Sequence, residues 1–169
     1  MPILLIPHTK NQEEAYAIGR RIHIMQNHGL EFSNIITAAT RQHINTAITA
    51  THYFADRGLQ VLSVNSDKSL DEQKDGENIE RAYKRCAKGA FADVEIFKDR
   101  GLKGIVIFIA TKTLLQSLDH ALNNTPIEDV RSRSSLWQTG TPYLFSDEQE
   151  AFFKNALADM EKQGFFTGY

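Results

Sequence analysis

Gly104-Ile105-Val106-Ile107-Phe108-Ile109-Ala110-Thr111 is the stretch that decides the fold. Its apolar side chains do not alternate with polar ones. A strand of that kind is covered on both faces, which is the mark of a parallel sheet flanked by helices. Working outward, shorter candidate strands lie at Ile3–Ile6, Asn34–Thr37, Gln60–Val64 and Pro142–Phe145, with longer amphipathic stretches between them. Short apolar runs alternating with helical periodicity give an α/β fold with a mostly parallel central sheet. No repeat, low-complexity tract or long linker divides the chain, so one domain over 1–169 is expected.

The helices have legible ends. Asn11 caps the first, with Glu14 three residues on in the capping-box position. Ala15, Ile18, Ile22 and Met25 then form an apolar stripe that Gly29 closes. A second helix runs from Arg41 to Arg57, with Ile44, Ala47, Ile48 and Thr51 inward. A third covers Glu77–Lys88, with a break at Gly89 and a further turn or two to Arg100. Thr111 starts the next, with Leu114, Leu115, Leu118 and Leu122 on its buried side. Ser146 with Gln149 caps the last, which ends near Gly164. Ser135–Gln138, the turn at Thr139-Gly140 and Thr141–Phe145 read as a hairpin at the sheet edge.

Bulk properties exclude several classes. The chain is 41% hydrophobic and 24% charged, with 19 basic and 21 acidic side chains and a formal net charge of −2. That balance argues against nucleic acid as a partner. No apolar run approaches the roughly 20 residues of a membrane span, and Met1–Pro7 is too short for a signal peptide. Cys86 is the single cysteine and falls on an apolar helix face, so it reads as packing, and a cytoplasmic location is the default expectation.

Ligands in open α/β sheets gather at the carboxyl ends of strands. Those ends carry Pro7, His8, Thr9 and Lys10, then Thr37 to Gln42 including Arg41, then Asn65 to Glu72, and finally Ala110, Thr111 and Lys112. An imidazole, a carboxylate and several cations therefore have a topological reason to meet. His43 and His52 share a helix face but lie far apart along it, and His23, His28 and His120 are scattered. No spacing resembles a metal site, and no organic cofactor is implied.

The ordered set of motifs resembles the phosphoglycerate mutase-like, or histidine phosphatase, superfamily. The apolar strand ending at His8 is similar to the family's strand ending in Arg-His-Gly. Glu14-Ala15-Tyr16-Ala17-Ile18-Gly19-Arg20-Arg21-Ile22 resembles its first helix. Asn34-Ile35-Ile36-Thr37 followed by Asn45-Thr46-Ala47 resembles its second strand and helix. Leu70-Asp71-Glu72 with Gly76-Glu77 looks like its Leu-x-Glu and Gly-x-Glu segments, and Ile105–Ile109 with the helix after Thr111 takes the place of its final Val-Ser-His-Gly region. The resemblance spans Ile3 to Leu122 and implies a three-layer α/β/α sandwich. It also implies a histidine that attacks phosphorus, two arginines and a second histidine that hold the phosphoryl oxygens, and an acid that protonates the leaving group. His8 aligns with the nucleophile and Glu72 with the acid.

The cationic positions depart from that pattern. Pro7 replaces the first arginine and Thr9 the glycine; Gln42 falls at the second arginine with Arg41 one residue early, and Ala110 stands at the second histidine. A phosphoryl group carries nearly two negative charges, and its transfer depends on positioned donors. Guanidinium groups suit it through their bidentate geometry. Lys10 and Lys112 restore charge only as flexible point cations. The expectation is a degenerate phosphate pocket, formed by Thr9, Lys10, Arg41, Gln42 and Lys112, with weak or no phosphatase activity and a small phosphorylated or anionic ligand, or a protein, as partner. The competing expectation is an active phosphomonoesterase using His8 and Glu72. Beside these stand blander readings: His8 as a strand-end histidine bonded to backbone, Glu72 as a solvated loop carboxylate and Arg41 as a surface cation.

Overall fold

Every side chain of the apolar stretch Ile105–Ala110 is buried, in the middle of a five-stranded sheet. The computed structural model describes residues 3–133, 140–145 and 149–165. In chain order its elements are β1 (Ile3–Pro7), α1 (Gln12–Asn27), β2 (Phe32–Ala38), α2 (Arg41–Asp56), β3 (Val64–Asp67), a 3-10 turn (Lys68–Leu70), α3 (Ile79–Asp99), β4 (Ile105–Ala110), α4 (Lys112–Asn123), α5 (Ile127–Arg133), β5 (Tyr143–Phe145) and α6 (Glu150–Lys162). The strand order is β3-β2-β4-β1-β5, parallel except for β5, which runs antiparallel to β1.

Strand periodicity sends alternate side chains to opposite faces. Leu4, Ile6, Ile35, Ile105, Ile107 and Ile109 join the core beneath α1, α2 and α6. Ile3, Leu5, Ile36, Val106, Phe108 and Ala110 join the core beneath α3 and α4. Two buried clusters on opposite faces of one sheet make the three-layer α/β/α sandwich.

The structure amends several readings of the chain. The third strand starts at Val64 and runs to Asp67, where Gln60–Val64 was expected. It is an edge strand, so its polar residues Asn65 and Ser66 sit in solvent, while Leu59 and Leu62 pack onto the core from irregular backbone. α3 runs unbroken through Gly89, whose missing side chain leaves room for Ser69: an added Cβ would lie 1.9 Å from the Ser69 hydroxyl. α5 was not foreseen. Leu122 is exposed rather than inward. The expected Ser146 cap and the first arm of the hairpin lie outside the described residues.

α1 and α2 pack closely, and the reason is a run of small residues. A Cβ on Gly19 would fall 2.1 Å from the Ala50 carbonyl oxygen and 2.6 Å from Tyr53 Cβ. Approach on that line turns α2 so that His43, Thr46, Ala47 and Ala50 are buried while Ile48 faces out. Ile44 and Ile48 had suggested a different inner face. Gly19→Ala gains helix propensity of about 1 kcal/mol but forces the two helices apart. We expect a net loss of about 2 kcal/mol or more in equilibrium urea unfolding; an unchanged midpoint would contradict the close approach.

Candidate active site

The β1–β4 ladder ends at Pro7 opposite Ala110, and one further rung, His8 N–H to the Ala110 carbonyl at 3.2 Å, carries the register onto His8. His8 therefore leaves the sheet at its carboxyl edge, half-buried. Its imidazole meets a residue that the sequence did not single out. The His43 ring lies 3.9 Å from it, centroid to centroid, tilted by 39°. His43 sits at the third position of α2, and its Nδ1 is hydrogen-bonded to the hydroxyl of the N-cap residue, Thr40. The other nitrogen, Nε2, is buried without a hydrogen-bond partner among the described residues.

Two carboxylates approach from the segment after the 3-10 turn. Asp71 Oδ1 accepts the Ala39 N–H at 2.9 Å. Glu72 accepts the Lys112 N–H on Oε1 at 2.6 Å and the Thr113 hydroxyl on Oε2 at 2.7 Å. Lys112 opens α4, so the carboxylate occupies a helix N-terminus, where backbone donors and the helix dipole favour negative charge. Glu72 is an exposed residue of irregular backbone, as the blander reading had it, but its carboxylate is fixed at that helix start by both hydrogen bonds. The segment is strapped from behind by Arg85, whose guanidinium donates to the carbonyls of Ser69, Asp71 and Glu72 at 2.7, 2.9 and 3.1 Å. Arg85 also pairs with Glu77 at 2.8 Å, which holds that carboxyl down at about 2. Thr111 ties the same segment to β4 through its hydroxyl, which donates to the Leu70 carbonyl at 3.0 Å.

The expected phosphate-binding residues gather one step away. Lys10, Arg41 and Gln42 line, with Thr9, an open cleft of about 630 Å³ between the starts of α1 and α2. His8, His43 and Glu72 are not in its wall. The Thr9 hydroxyl is already engaged, donating to Glu14 Oε2 at 2.7 Å and accepting the Asn11 N–H at 3.1 Å. Glu14 thus reaches Thr9 where a capping box would have sent it to the Asn11 backbone, and Asn11 Oδ1 caps α1 alone, accepting from Glu13 and Glu14 N–H. Lys112 reaches the site through its backbone, with its side chain exposed. The structure therefore brings His8, His43, Asp71 and Glu72 together and sets Thr9, Lys10, Arg41 and Gln42 in the neighbouring cleft.

Burial lowers the His8 imidazole, with Lys10 adding to the effect; the Ala110 carbonyl and Glu72 oppose it. Burial likewise pushes His43 down to about 4, helped by His8 and opposed by Glu72 and Asp71. Both rings are neutral at pH 7. The Cys86 thiol, buried in the opposite core layer, is pushed up to about 12 by desolvation, which fits packing and not nucleophilic chemistry. Among the described residues no set of three or more His, Cys, Asp and Glu side chains is arranged to hold a metal ion, and no helix is long and apolar enough to cross a membrane.

His43 and Arg85 are the members that sequence reasoning missed. Thr40-x-x-His43 at a helix start has the spacing that lets an N3 side chain reach back to its N-cap, and that was the available signal. The unfolded chain protonates His43 near 6.5, whereas the folded protein resists until about 4. Between these values the unfolded state binds more protons, so His43 removes stability as the pH falls, by up to about 3 kcal/mol. Urea unfolding of wild type and His43→Gln at pH 7 and pH 4.5 reads this directly. The variant should gain about 2 kcal/mol relative to wild type at the lower pH, and a pH-independent offset would contradict the assignment.

No protein-family model and no curated protein sequence matches the chain. Solved structures do. YhfR of Bacillus stearothermophilus superposes with a TM-score of 0.57 at 16% identity, over 78% of this chain and 84% of that one. The phosphoglycerate mutase from Bacillus anthracis strain Sterne gives 0.57 at 14% identity, over 86% and 89%. A mycobacterial glucosyl-3-phosphoglycerate phosphatase gives 0.55 at 12% identity, over 86% and 89%. With the sheet order and the two helical layers, these likenesses establish that the chain has a phosphoglycerate mutase-like fold.

Proposed function

We propose that the protein is histidine phosphatase-like, with a degenerate pocket that binds a phosphorylated or other anionic ligand and turns over phosphomonoesters weakly or not at all. The observation that carries this reading is the company His8 keeps. Its nearest ring neighbour is the neutral imidazole of His43, and Pro7, Gln42 and Ala110 stand where the resemblance calls for two arginines and a second histidine.

The energetic consequence follows from charge. Phosphoryl transfer develops its charge on oxygens that need fixed donors, and removing one such donor commonly costs about 10²–10³ in rate. Three altered positions remove more, though not additively. Lys10 and Arg41 remain beside the site as cations lining the α1–α2 cleft. They supply attraction for an anion without a bidentate grip on His8's reaction partner. A leaving-group acid is also encumbered, because both Glu72 oxygens already accept hydrogen bonds.

An active phosphomonoesterase is the second reading, and one observation favours it. Burial keeps His8 unprotonated at neutral pH with the Ala110 carbonyl in bonding reach of its ring, which is the state a nucleophilic imidazole needs. Purified wild type and His8→Ala, assayed against a broad panel of phosphorylated metabolites and phosphopeptides, separate the two. Equal, near-background rates are expected. His8-dependent turnover at about 1 s⁻¹ or faster, within the ordinary enzyme range, would establish the esterase instead.

A further inference from the structure

We propose that His43 is the second functional imidazole of the pocket, holding an oxygen of the bound anion through Nε2 beside His8 and taking up a proton as the anion arrives. The inference rests on the anion-binding reading above and adds to it the residue that replaces the missing cations.

The geometry carries it. His43 is 4% exposed, and its two nitrogens have different fates. Nδ1 is tied to the Thr40 hydroxyl, which fixes the ring plane. Nε2 is buried and has no hydrogen-bond partner among the described residues. A buried polar nitrogen left unpaired is costly, so its retention calls for a partner that the described residues do not supply. The ring leans against His8 at 3.9 Å, so a group engaging His8 comes within reach of it.

Charge around the ring explains why a proton follows the anion. Asp71 and Glu72, from the segment after the 3-10 turn, both favour the imidazolium, while burial and His8 on β1 oppose it. Lys10 adds positive charge beside His8, and Arg41 lies on His43's own helix. With the site empty, burial wins and the ring is neutral. A dianion within about 4–6 Å raises a neighbouring pKa by about 1–3 units, enough to protonate the ring in mildly acid solution. The imidazolium then supplies the charge that the resemblance assigns to arginine.

The probe is sulfate, which stays a dianion across the range and so leaves all pH dependence to the protein. In isotope-labelled wild-type protein, the ring resonances of His8 and His43 are followed from pH 8 to 3.5, with and without saturating sulfate. The His43 midpoint should rise by about two pH units on saturation. Sulfate should bind about 10-fold tighter at pH 5 than at pH 7.5, and His43→Gln, if folded by circular dichroism, should lose most of that difference. Sulfate that binds and perturbs His8 while the His43 midpoint stays put overturns the proposal and leaves the pocket reading intact. No binding of sulfate or inorganic phosphate between pH 7.5 and 5 overturns the pocket reading, and the proposal with it. The ring titration uses wild-type protein, so a misfolded variant does not blunt the test.

Discussion

The parallel pairing of β1 with β4 is the constraint on which the site depends. It runs in unbroken register from Ile3 with Val106 to Pro7 with Ala110, and ends in the His8 rung. Because both strands are covered on both faces, a slip of one residue would move apolar side chains between core layers and is strongly opposed. The same register delivers His8 to the edge where α4 begins, and so to Glu72, which is bound at that helix start. Position at the site is thus inherited from core packing, with no loop of its own to define it. Pro7, the residue where a cation was wanted, is tolerated at the last rung because its carbonyl can still accept, here from Gly140 N–H at 3.0 Å.

Desolvation then decides the site's electrostatics. The histidines are held neutral chiefly by burial, against Glu72, which favours the protonated form of both, and Asp71, which favours that of His43. Those carboxylates are in turn held by backbone donors and by the Arg85 strap. Opposing influences of this kind leave the charge of the two rings sensitive to their surroundings. A pair of fixed guanidinium groups would be charged at every physiological pH. An imidazole pair is charged only when conditions or a ligand demand it.

Much of the fold was legible because the relevant signals are local. The apolar run of β4 and the caps at Asn11 and Thr111 needed only their neighbours in sequence. β3 was displaced because an edge strand is free to be polar, and Asn65-Ser66-Asp67 carries no apolar pattern. α3 was given a false break because Gly89 serves a contact with Ser69, which lies far away in the chain. The site was half legible. His8 and Glu72 follow from strand ends, whereas His43 was hidden by the turn of α2, which Gly19 and Ala50 set through tertiary contact. Aliphatic residues advertise an inner face; small ones fix it when a second backbone comes close.

The sheet order has a consequence for how the chain comes to be folded as it is synthesised. β1 precedes both of its partners, β4 and β5, so it emerges from the ribosome before either. β2, α2 and β3 form a local unit that can assemble early, since β2 and β3 are sheet neighbours. β1 must wait, apolar and unpaired, until Ile105–Ala110 emerges to fill the centre. Long-range parallel pairing of this kind is slow and exposes apolar surface meanwhile. The segment Ile3–Pro7 is therefore where nascent chains are open to chaperone capture or aggregation, and the meeting of His8 with His43 is among the last parts of the molecule to form.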